Sequence, residues 1–146
     1  SELGVNNERI TFSKDYARNG LRFLVEKLGE KADGVVVGFL RNDEYYFLGI
    51  NNLLTESLDA DREATRQIVK FIEEKSIIGA LNETMIKRGD VNYTFIQCED
   101  KATISCLYVK IEVEGYEGVL AILGPVRVNY KQNLGILKKF LSNSII

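Results

Sequence analysis

The sequence predicts an α+β domain built on one mainly antiparallel sheet with helices segregated around it. Three observations lead there. Five short runs are rich in β-branched and aromatic residues, and most are separated by polar or glycine-containing turns. Stretches with apolar residues at helical spacing stand at both ends and in the middle of the chain. The length of 146 residues, with 45% apolar and 27% charged residues, suits a single domain able to bury a core without metal or disulfide.

Residues 1–13 are polar and mixed, and read as a tail or the end of a linker; the domain is expected over 14–146. Ser13 can cap a first helix, whose face is Tyr16, Leu21, Leu24, Val25 and Leu28. Gly29 is expected to end it in the left-handed cap conformation. Asp33-Gly34 is a turn signal. Val35 to Leu40 reads as a buried strand, Arg41-Asn42-Asp43 as a polar turn, and Glu44 to Ile50 as the returning strand. Gly49, Asn51 and Asn52 close that hairpin. Asp59 or Asp61 can cap a helix with the stripe Ala64, Ile68, Phe71 and Ile72. A second helical stretch is expected from Ile77 to Lys87, broken by Gly89-Asp90.

Three strands are predicted next. Val91 to Gln97 alternates Val91, Tyr93 and Phe95 against polar neighbours. Thr103 to Val113 alternates Ile104, Cys106 and Tyr108, then Ile111 and Val113, and the change of phase near Val109-Lys110 suggests a bulge. Gly118 to Leu123 is continuously apolar and reads as a central strand that Gly124-Pro125 stops. Asn129 can cap a last helix with the face Leu134, Ile136, Leu137, Phe140 and Leu141. The order is helix, two strands, two helices, three strands, helix. It resembles the GAF/PAS class of sensor domains, an analogy of fold that carries no chemistry by itself.

Composition narrows the function. The chain has no histidine, which removes histidine-based triads, general bases and metal ligands. Its 19 basic and 21 acidic residues give a net charge of -2, against a free-standing nucleic-acid binder. Cys98 and Cys106 fit neither a zinc spacing nor a redox CxxC motif, and are expected as two reduced, half-buried thiols. No apolar run reaches the ~20 residues of a membrane helix and no signal-peptide pattern opens the chain, so a cytoplasmic protein without membrane contact is expected. Asp59, Asp61 and Glu63 have the oxygen chemistry of a cation site, but acidic residues also favour a helix start. No phosphate-binding glycine loop occurs between Gly118 and Gly124. Lys131, Lys138 and Lys139 make a modest basic edge. With no positioned acid–base pair, the reading is that the chain is not an enzyme and needs no cofactor or metal.

Two segments are more specific than composition. Tyr46-Phe47-Leu48-Gly49-Ile50-Asn51-Asn52-Leu53-Leu54 looks like a Y-x-x-G-[LI]-[SA]-N-[LI]-L stretch. Gly118 to Tyr130 runs through a strand into Gly124-Pro125-Val126-Arg127-Val128-Asn129-Tyr130. Together they resemble, over about residues 14–142, the C-terminal part of the heat-inducible transcription repressor family (HrcA). Gly49, Asn52, Gly124, Pro125, Arg127 and Tyr130 carry the resemblance, and Val128 stands where that family usually has Met. The resemblance implies a GAF-like regulatory domain of a repressor of chaperone operons, acting as a homodimer, with chaperonin as a possible aid to its active state. It implies DNA binding only through a winged-helix domain, and no such segment lies within these residues. An inserted dimerisation module is also missing, because only Arg41-Asn42-Asp43 joins the first two strands, so a dimer is expected to use the GAF-like surface. The alternative reading is a GAF-type small-molecule sensor with a pocket lined by Tyr45, Phe47, Phe95 and Tyr108.

Overall fold

A computed structural model describes the backbone of residues 2–55, 59–82, 89–97, 103–125 and 130–143, with side chains from residue 15 onward except 52, 54, 55, 59–61, 64, 82 and 143. The elements are α1 (Glu2–Gly29), β1 (Val35–Leu40), β2 (Tyr45–Leu48), α2 (Ile50–Thr55), α3 (Asp59–Glu73), α4 (Ser76–Asn82), β3 (Asn92–Gln97), β4 (Thr103–Val113), β5 (Tyr116–Pro125) and α5 (Tyr130–Asn143). The strands form one antiparallel sheet in the order β2-β1-β5-β4-β3. The predicted α+β class is therefore the observed one.

Both faces of the sheet are covered, and strand alternation divides the core in two. Val35, Val37, Phe39, Ile104, Cys106, Tyr108, Val119, Ala121 and Leu123 point to one face, where Leu53 of α2, Ile68 and Ile72 of α3, and Ile77 and Leu81 of α4 cover them. Val36, Leu40, Leu107, Val109, Ile111, Leu120 and Ile122 point to the other, under Ala17, Leu21, Val25 and Leu28 of α1 and Leu137 of α5. Burying both faces explains why β1 and the middle of β5 read as unbroken apolar runs. The α1 stripe recurs every three or four residues, as one helix face must. Each fully buried Leu or Val there contributes about 1.5–3 kcal/mol by removal from water. Gly38 lets α1 lie close to the sheet: a Cβ at that position would sit 2.7 Å from Leu21 Cδ1 and 2.8 Å from Val25 Cγ2.

Several expectations are corrected. α1 is continuous from Glu2 and passes through Ser13 without a break, so Ser13 does not cap it. The chain holds a single proline, Pro125, so nothing in 1–13 interrupts the helical ladder. Gly29 ends α1, but the left-handed glycine of the following turn is Gly34. β2 stops at Leu48, and Ile50 opens the short helix α2, which no periodicity over so few residues announces. β4 carries no bulge: its register against β5 is unbroken from Ile104–Pro125 to Val113–Tyr116. The apparent change of phase arises because its first half is buried mainly on the α2–α4 face and its second half on the α1 face. The remainder of the helix expected to reach Lys87 lies outside the described residues beyond 82, as do Cys98 and Asn129.

The phase of β3 is also inverted from the expectation. Tyr93 and Phe95 are exposed, while Thr94 and Ile96 are the half-buried positions. Phe95 pairs with Ser105 and Tyr93 with Leu107, which puts both rings on the α1/α5 face at the rim of the sheet.

Candidate functional site

The two specific segments end at one side of the sheet. Leu48 of β2 pairs with Val36 of β1, and Val36 pairs with Ile122 of β5. The exit of β2, the entry of β1 and the exit of β5 are thus neighbours, with the outer two roughly 10 Å apart at two strand spacings. Gly49 takes φ 100 directly after β2, a left-handed backbone that lets Ile50 begin α2 at once. Asn52 lies within α2; its side chain is outside the described residues.

Gly124 and Pro125 do not stop β5 but are its last two residues. Gly124 is not among the left-handed glycines; it is extended opposite Ser105. The Ser105 hydroxyl donates to the carbonyls of Gly124 at 3.2 Å and Pro125 at 3.4 Å, tying the strand exit to β4. Arg127 lies outside the described residues. Tyr130 opens α5, half-exposed, with its ring edge-on to Tyr93 at 5.8 Å.

A clamp beside these turns fixes α5. Asn133, 1% exposed, accepts the Asp33 backbone N–H at 2.8 Å and donates its amide to the Asp33 carbonyl at 2.8 Å. Gln132 donates to the Lys31 carbonyl at 2.8 Å. The side chain of Asn133 thus pairs with the Asp33 backbone as a peptide would, holding the last helix to the α1–β1 connection. Sequence reasoning missed both residues. The available signal was position: Asn133, Leu137 and Phe140 share the inward spacing of α5, and an amide in such a stripe needs partners.

The family model of the HrcA protein C terminal domain matches residues 5–133. The chain belongs to that family. Its members are transcription repressors rather than enzymes. No curated protein and no solved structure matches the chain. The residues that carry the HrcA resemblance, from Gly49 to Tyr130, all fall inside the matched span, and Asn133 is its last position.

Other groups in this HrcA domain have structural partners. Tyr45, Phe47 and Tyr108 lie on the α2–α4 face, whereas Phe95 lies on the opposite face. Tyr45 and Phe47 are on edge strand β2 and Phe95 on edge strand β3, roughly 19 Å apart across the sheet. The four aromatics expected to line one pocket therefore do not converge. The Tyr45 hydroxyl donates to the Ile72 carbonyl at 2.8 Å, and burial pushes the phenol up to about 12. Burial also pushes the Cys106 thiol up, which keeps it protonated and unsuited to nucleophilic attack.

A cleft of about 460 Å³ opens at the far end of the sheet between Phe39, Ile78, Leu81 and Val119. On its rim Glu117 lies 3.4 Å from Arg41 and 3.6 Å from Lys110, so one carboxylate serves two cations. Among the described residues no group of three or more Cys, Asp or Glu side chains is placed to hold a metal.

Proposed function

We propose that this chain is the regulatory and dimerisation domain of an HrcA-like repressor of heat-shock chaperone genes. The observation that carries the reading is the HrcA match over residues 5–133. On this reading DNA is contacted by a winged-helix domain elsewhere in the repressor, and this domain holds two copies in the geometry an inverted-repeat operator requires. Chaperonin would act on the same domain to favour its active state, and the setting would be the cytoplasm.

The arrangement of the sheet supports a GAF-like reading, with one antiparallel sheet between two helical layers and residues 14–146 as one regulatory unit. Gly49, Asn52, Gly124, Pro125, Arg127 and Tyr130 are assigned an architectural role: they set the turns that place α2 and α5 at one side of the sheet. The small-molecule alternative has less support, because its four aromatics occupy opposite faces.

A repression reporter tests the proposal. The chain is fused to a DNA-binding domain that represses only as a dimer. Repression restored by the fusion supports the reading; a folded, soluble fusion that leaves the reporter fully active contradicts it.

A further inference from the structure

The edge strand β3 lacks the features that normally keep a sheet edge from pairing. Such edges are blunted by charge, proline, a bulge or short length. β3 spans Asn92–Gln97 and contains neither a charged residue nor a proline. It pairs with β4 at every position from Asn92–Tyr108 to Gln97–Thr103, without a bulge. Among the described residues β4 is the only strand beside it. The opposite edge is better protected. β2 has only four residues, and Glu44 at its start is held by Arg18 at 3.2 Å.

The same strand presents apolar surface. Tyr93 is 59% exposed, Phe95 55% and Tyr130 of α5 42%. The rings form an edge-to-face row, with centroids 6.0 Å apart for Tyr93–Phe95 and 5.8 Å for Tyr93–Tyr130. Three large aromatics ordered against one another on a rim are a ready contact surface.

We propose that β3 is a pairing edge for a second copy of this chain, joined antiparallel strand to strand, with the Tyr93–Phe95–Tyr130 rows of the two copies packed together. The occupant follows from the chemistry of the edge. A two-fold join places the same segment opposite itself, and an uncharged strand meets its copy without like-charge opposition. The joint sheet keeps Tyr93 and Phe95 of both copies on one face, so backbone pairing and ring contact form together. The exposed parts of the three rings supply roughly 300 Å² per copy. For two copies that is roughly 600 Å² before the paired backbone is added, below the ~1,200 Å² at which stable interfaces begin. The dimer is therefore concentration-dependent.

The inference rests on the dimerisation reading above and gives it a location. Solution mass of the whole chain across a concentration range tests it. The wild type is expected to dimerise. Phe95→Lys and Phe95→Glu should each weaken self-association by about tenfold or more, with a melting profile that matches the wild type's at concentrations where the wild type is monomeric, because Phe95 is exposed. Mixing the two variants should restore a heterodimer. Phe23→Lys, at an exposed aromatic on α1, should leave the dimer intact. A Phe95→Lys variant that dimerises like the wild type, or a dimer broken by Phe23→Lys instead, overturns the edge assignment and leaves the dimerisation reading standing. A wild type that stays monomeric throughout overturns both.

Discussion

Replacing Asn133 by Ala tests the clamp that holds α5 to the rest of the fold. The substitution removes two side-chain hydrogen bonds of 2.8 Å each, one accepted from the Asp33 N–H and one donated to its carbonyl. Each bond contributes about 1 kcal/mol net, and each buried group left without a partner costs about 1–3 kcal/mol. Asp33 is half-buried, so water recovers part of this, and the expected loss is about 2–4 kcal/mol. For a domain of this length each kcal/mol lowers Tm by roughly 2–4 °C, which gives a drop of roughly 5–15 °C by calorimetry. Asn133→Asp separates the two bonds. An ionised carboxylate keeps the acceptor for the Asp33 N–H but sets a second oxygen against the Asp33 carbonyl. Burial and that carbonyl raise the new carboxyl's pKa in the folded state, so the variant should regain stability as pH falls and the group becomes a donor. A Tm for Asn133→Ala within 2 °C of the wild type would refute the reasoning.

Gly38→Ala should cost about 1–3 kcal/mol in chemical denaturation, because its Cβ meets Leu21 and Val25 below 3 Å and α1 must shift. Gly49→Ala should cost about 1–3 kcal/mol by the same measurement, since φ 100 is strained for any residue with a Cβ. Tyr45→Phe loses the bond to the Ile72 carbonyl and should lower stability by about 1 kcal/mol at neutral pH. The Tyr45 phenol is raised from its ordinary 10.0 to about 12, so its contribution is complete below pH 10 and is lost as pH rises toward 12. Thermal melts of Tyr45→Phe should accordingly fall less steeply over that window than those of the wild type. The Cys106 thiol should resist an aromatic disulfide reagent until the domain unfolds.

What the sequence made legible follows from what local patterns encode. β1 and the central β5 were readable because strands buried on both faces carry apolar runs bounded by turn residues. The α1 stripe from Leu21 to Leu28 was readable because helical spacing is local. The register of β4 was not, since deciding which face is buried at Lys110 requires knowing where α3 and α4 stop covering the sheet. Tyr93 and Phe95 have the alternation of a buried strand, and only their place on the edge strand exposes them. The aromatic pocket failed for the same reason: residue type does not tell one face of a sheet from the other. Of the candidate site, Gly49 was readable only as the end of a strand, and its φ of 100 was not; Gly124 is not left-handed as a turn glycine would be. Asn133 was missed because its partner is 100 positions away in the chain.

The chain belongs to the HrcA family, and the role proposed for it is in the repression of chaperone genes. The most direct measurement is the chaperone transcript level at ordinary growth temperature after the coding segment for this domain is deleted from its gene. The account predicts a rise in those transcripts that the intact gene reverses. Transcripts that stay at the wild-type level would contradict it.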